Sequence, residues 1–172
     1  MNQETLNQIN EKKLKYHQVI GEIVVDFGML ESWLSFHIWE LIGAYGDANT
    51  SQLIGKRVTK DLHFKGKVSL FESLCVERYK NKSPDELRNI VKILSDCEKE
   101  RNEIVHSDWY IGYGNIDEGI PPSTHRIHEK RAFVKNKHYD FTKSMKDVDL
   151  EELKDIDGKM KEALRAITMF ML

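Results

Sequence analysis

The string Arg101-Asn102-Glu103-Ile104-Val105-His106 holds the residues whose types and spacing could do chemistry. A guanidinium keeps its charge at any working pH and offers a planar fork of donors to an anion. An imidazole changes protonation near neutrality, so it can take a proton and return it. The amide of Asn102 can orient either group. Together they suit a reaction at an anionic centre that moves a proton. Counted at 100° per residue from Leu87, the apolar positions 87, 90, 91, 94, 97, 104 and 105 cluster near about 325°, and Arg101 falls at about 320°. A guanidinium at the centre of an apolar stripe must find acceptors. His106 falls near about 100° and Asn102 near about 60°, so these two share a face of a straight helix, whereas Arg101 and His106 do not. Convergence in one cleft then calls on the reach of the arginine, a second helix, or a dimer mate.

The elements that must position these groups are mostly helical. Leu6, Ile9, Tyr16, Ile20, Ile23, Phe27, Leu30, Leu34 and Leu41 follow a 3-4 spacing, with Lys13 and His37 in the remaining seam positions. This stripe predicts one helix, or two nearly collinear ones, over about residues 4–45. Gly21 and Gly28 are the places for a bend, and Trp33, Phe36, Ile38 and Trp39 add a second apolar face for a neighbour. Residues 43–60, rich in Gly, Asn, Thr and Ser, read as a connection. A second helix is predicted over about 61–80, with Phe64, Val68, Phe71, Cys75 and Tyr79 inward. Ser83-Pro84-Asp85-Glu86 is a capping box with proline at the first helical position, and it opens the helix that carries the motif. Between Trp109 and Lys146 the glycines and the Pro121-Pro122 pair break helix, and near-alternate aromatic and β-branched residues read as a hairpin or two short strands. Asp149 as N-cap with Glu152 in the first turn opens a last helix. The predicted fold is mainly α: a single domain over residues 1–172, an up-and-down bundle of about four long helices, with a small basic β-hairpin-like insertion (109–147) before the last helix.

With its polar residue directly after the arginine and its place near the end of a late helix, Arg101-Asn102-x-x-x-His106 resembles the signature of the HEPN superfamily, the higher eukaryote and prokaryote nucleotide-binding domains. The size of the chain and its helix order resemble that family over roughly residues 4–171. The resemblance implies a metal-independent endoribonuclease without a cofactor, working as a homodimer, and a toxin or defence effector held in check by a cognate antitoxin protein. Arg101 and His106 would be catalytic, with Asn102 in support. RNA carries its own nucleophile, the 2′-OH beside the scissile phosphate. A neutral imidazole could take that proton, a protonated one could donate to the 5′-oxygen, and the arginine could hold the charge developing on phosphorus. The products would be a 2′,3′-cyclic phosphate and a 5′-hydroxyl. The alternative is a non-catalytic HEPN-fold module that binds RNA, a nucleotide or a protein. The sequence departs from the silenced toxins of the family in one respect. They carry tyrosine two residues after the histidine, where this chain has Asp108.

Each residue also has a plainer role open to it. Arg101 could bridge helices through a carboxylate such as Glu31, and Glu31 could in turn pin Arg101. His106 could cap the helix C-terminus, where a cation meets the dipole favourably. Between His125 and Lys146 there are seven Lys/Arg against two acids, a local net of +5. Arg126, Lys130, Arg131, Lys135 and Lys137 could follow an RNA backbone, or they could protect the exposed edge of a hairpin.

Composition excludes other classes. Apolar residues are 40%, enough for a sizeable core, while a net charge of −2 excludes a wholly basic nucleic-acid coat protein. Stretches free of Asp, Glu, Lys and Arg run no longer than that from Ser32 to Trp39, too short for a transmembrane helix. The opening MNQETLNQINEKK has no apolar secretory core, so a cytoplasmic protein is expected. Cys75 and Cys97 lie on apolar stripes and are expected to be inert, and two cysteines are too few for a thiolate zinc site. His125 and His128 lack an acid or cysteine partner at metal-site spacing, so no metal site is expected.

Overall fold

A computed structural model describes residues 3–43, 48–113, 123–133 and 139–172. Five helices and three strands follow in the order α1 (Gln3–Gly43), α2 (Ala48–Lys60), α3 (Phe64–Arg78), α4 (Pro84–Val105), β1 (Ser107–Tyr113), β2 (Ser123–Phe133), β3 (Tyr139–Asp147) and α5 (Leu150–Met171). The fold is mainly α, with a small antiparallel sheet before the last helix, as the periodicities predict. Among the described residues, no helix is long and apolar enough to cross a membrane.

The chain packs as two compact units. The helical unit comprises Ile23–Arg101 and Ile156–Leu172. Its core is the predicted stripes meeting: Ile23, Leu30 and Leu34 of α1, Phe71 of α3, Leu94 of α4 and Ile167 of α5 are all fully enclosed. Each such side chain contributes roughly 1.5–3 kcal/mol of transfer free energy. The segment read as a connection contains α2. Its polar composition hid it, because most of its surface faces solvent and only Gly55 and Thr59 among its described side-chain positions are buried. Those two dock it. A Cβ on Gly55 would lie 2.6 Å from Trp39 Cδ1, and the Trp39 indole N–H donates to Thr59 Oγ1 at 2.8 Å.

The sheet-bearing unit comprises Met1–Glu22 and Asn102–Asp155. The predicted hairpin is a three-stranded meander in the order β1-β2-β3. β2 pairs with β1 from His128↔Ser107 to Ser123↔Tyr113, and with β3 from His125↔Asp147 to Phe133↔Tyr139. Gly112 breaks the β1 register at φ +71°, a conformation in which side chains are strained. The Tyr16 hydroxyl of α1 donates to the carbonyl of Val148 at 3.0 Å, and the Val148 N–H donates to Thr124 O at 3.0 Å. Asp149 caps α5 as expected, its Oδ1 accepting from the Glu152 N–H at 2.7 Å.

Candidate active site

α4 delivers the motif, and the boundary between the two units falls between Arg101 and Asn102. In the helical unit, Arg101 is half-buried, with its guanidinium carbon 5.3 Å over the ring of Phe27. Phe27 in turn packs on Phe64 of α3, ring centroids 4.7 Å apart. The aromatic face accommodates part of an arginine that sits on an apolar stripe. A guanidinium over a ring is favourable by about 0.5–2 kcal/mol, and its N–H donors remain able to meet an acceptor in the guanidinium plane.

Glu31 stands one turn beyond Phe27 on α1. Its Oε1 accepts from Lys67 Nζ at 2.7 Å, and the lysine side chain is only 12% exposed. The structure thus gives Glu31 a partner on α3 that the spacing along the chain did not suggest.

In the sheet-bearing unit, Asn102 is half-buried and His106 is exposed, the residue between the last turn of α4 and β1. The final carbonyls of a helix need donors from elsewhere. Here the His106 backbone N–H donates to Asn102 O at 3.0 Å, the Ser107 hydroxyl donates to Glu103 O, and the Trp109 indole N–H donates to Ile104 O at 2.9 Å. Three of the four terminal carbonyls are therefore satisfied without an imidazole.

The basic residues of the insertion divide. Arg126 Nη2 donates to Glu103 Oε2 at 3.0 Å, the two side chains only 11% and 26% exposed, so this cation ties β2 to the end of α4. Lys130 and Arg131 take ladder positions in β2 opposite Thr142 and Phe141. Lys135 and Lys137 lie outside the described residues. Tyr110 and His125, directly opposite one another on β1 and β2, stack at 5.4 Å and 18°.

Burial governs the shifted acids. Asp26 and Asp157 share Lys161, whose Nζ lies 3.3 Å from Asp26 Oδ2. Burial first, then the hydrogen bond with Asp157, raises the Asp26 carboxyl above its ordinary value. Burial also pushes the thiols of Cys75 and Cys97 up to about 12, the inert condition expected of them. Among the described residues there is no group of three His, Cys, Asp or Glu side chains arranged to hold a metal ion.

Sequence reasoning missed a cleft of 380 Å³ in the helical unit, between α1, α2 and α3, lined by Glu31, Trp39, Lys56, Thr59, Lys60 and Lys67 among others. Its signal was present in the run from Lys56 to Lys67, where five Lys/Arg stand against one acid. Reading the first part of that run as a connection hid it.

No family model, curated protein or solved structure matches the chain.

Proposed function

We propose that the chain is a HEPN-type, metal-independent endoribonuclease, a toxin or defence effector in the cytoplasm that works as a homodimer and is restrained by a cognate antitoxin protein. The observation that carries this reading is the state of the motif residues. Arg101 is kept half-buried on the Phe27 ring, and His106 stands exposed at a helix end whose carbonyls other groups already serve. The capping role open to His106 in the sequence therefore does not explain it.

In the proposed reaction the 2′-oxygen attacks phosphorus and the P–O5′ bond breaks. A neutral His106 imidazole takes the 2′-hydroxyl proton, and a protonated imidazole, from the second copy, returns one to the 5′-oxygen. Arg101 holds the extra charge on the equatorial oxygens through its donor fork. Asn102 orients the imidazole or the phosphate. The exposed apolar run Val25, Met29, Trp33 and Phe36 on α1 supports pairing of two copies, since these residues fall on one helical face.

The test is cleavage of end-labelled structured and unstructured RNA in EDTA, with product ends analysed. Wild type should leave cyclic phosphate and 5′-hydroxyl ends, and Arg101→Ala and His106→Ala should each lose about 10²–10³-fold in rate. RNA bound but never cut, with His106→Ala indistinguishable from wild type, would establish the alternative, a non-catalytic binding module.

A further inference from the structure

We infer that the cleft between α1, α2 and α3 is a binding site for the phosphodiester backbone of single-stranded RNA. The inference rests on the ribonuclease reading for its choice of polyanion.

The local chemistry begins with charge. Lys56, Arg57, Lys60 and Lys65 are exposed, and among the described residues no carboxylate holds any of them. Elsewhere in the helical unit Lys67 pairs with Glu31, Arg88 with Asp85 and Lys159 with Glu100. Lys56 and Lys60 stand one turn apart on α2, where like charges repel by about 0.2–0.5 kcal/mol. No carboxylate among the described residues relieves that repulsion; a polyanion would.

The cleft is also held rigidly. Trp39 is fixed by its hydrogen bond to Thr59 Oγ1, and the Thr59 hydroxyl donates to Gly55 O at 2.9 Å. A side chain at Gly55 would collide with Trp39, so the glycine lets α2 approach α1 closely. Lys56 Nζ sits 5.5 Å from the Trp39 ring centroid. The two lysines at the rim thus have a firm base, and their Cβ atoms lie about 5–6 Å apart, within reach of neighbouring phosphates of one strand. A concavity of 380 Å³ admits an extended strand but not a flat bilayer surface. Glu31, the acid among the described residues of the wall, is neutralised by Lys67.

Continuity with Arg101 strengthens the assignment. Arg101 lies over Phe27, and Glu31, on the cleft wall, follows Phe27 by four residues, about 6 Å along α1. Phosphates seated on Lys56 and Lys60 would belong to the strand whose next phosphates approach the guanidinium.

The experiment measures anisotropy of a short 5′-fluorescein oligouridylate in EDTA, with His106→Ala as the background so that no turnover intervenes. Removing both rim charges, Lys56→Gln with Lys60→Gln, should weaken binding about tenfold and flatten the slope of log affinity against log salt by about 1.4, the loss of two phosphate contacts on a single strand. Lys80→Gln with Lys154→Gln, on exposed lysines elsewhere, should change neither. Glutamine keeps helix propensity close to that of lysine, and circular dichroism verifies that the variants fold. Unchanged affinity and slope in the Lys56/Lys60 variant would overturn the inference, as would equal displacement of the oligonucleotide by polyglutamate. The two readings fail separately. A wild type that binds through these lysines yet cuts nothing refutes the nuclease alone. A wild type that cuts, with binding indifferent to them, refutes the cleft alone.

Discussion

Arg126 decides whether the basic insertion is an RNA surface or a structural clamp. Its Nη2 lies 3.0 Å from Glu103 Oε2, with both side chains largely withdrawn from water. Two charges about 4 Å apart at an effective dielectric near 20 attract by about 4 kcal/mol. Desolvation cancels much of this, leaving a coupling of about 1–2 kcal/mol. Removing one partner costs more than the coupling, about 2–4 kcal/mol, because the other charge loses this partner while it stays largely withdrawn from water. Arg126→Met should therefore lower Tm markedly, at about 2–4 °C per kcal/mol for a chain of this size. The assay is urea denaturation of wild type, Arg126→Met, Glu103→Gln and the double variant, closed as a thermodynamic cycle. RNA anisotropy of the folded Arg126→Met chain runs alongside and should be unchanged. A coupling within about 0.3 kcal/mol of zero would refute the clamp. So would lost RNA affinity at unaltered stability.

Other substitutions test the remaining strained or buried positions. Because the folded state raises the Asp26 carboxyl, the proton it favours stabilises the fold fully below the ordinary carboxylate range, and that contribution is lost as pH rises through the raised value. Asp26→Asn should thus raise the urea midpoint at pH 7 relative to wild type, and the gain should vanish in acid. Gly112→Ala should cost about 1–2 kcal/mol from its left-handed φ, with its Cβ also pressed to 3.0 Å from Ile9 Cγ2. Gly158→Ala, in open space within α5, should stabilise by about 0.5–1 kcal/mol, and thermal melts of the pair should move in opposite directions. Cys75 and Cys97, buried with thiols raised to about 12, should resist iodoacetamide at pH 8 until urea unfolds the chain; rapid native alkylation of either would contradict their burial.

What the sequence by itself determined was local and periodic. The start of α4 follows from Ser83-Pro84 and that of α5 from Asp149, because caps act within a few residues of the groups they satisfy. The buried faces of α1, α3, α4 and α5 follow from the 3-4 spacing, and Arg101 among apolar positions was visible on a wheel. The helix in residues 48–60 was not, since its apolar contact is one glycine and one threonine against Trp39, a complementarity of shape that composition does not record. The third strand escaped for a related reason: β3, Tyr-Asp-Phe-Thr-Lys-Ser-Met-Lys-Asp, shows little alternation, and its pairing with β2 supplies what its own sequence lacks. Partners were decided only by tertiary structure. Glu31 finds Lys67 36 residues away, Arg126 finds Glu103, and Arg101 finds the face of Phe27. A charge takes whichever partner the packing of helices brings within about 4 Å, and that distance is set by the core, not by separation along the chain.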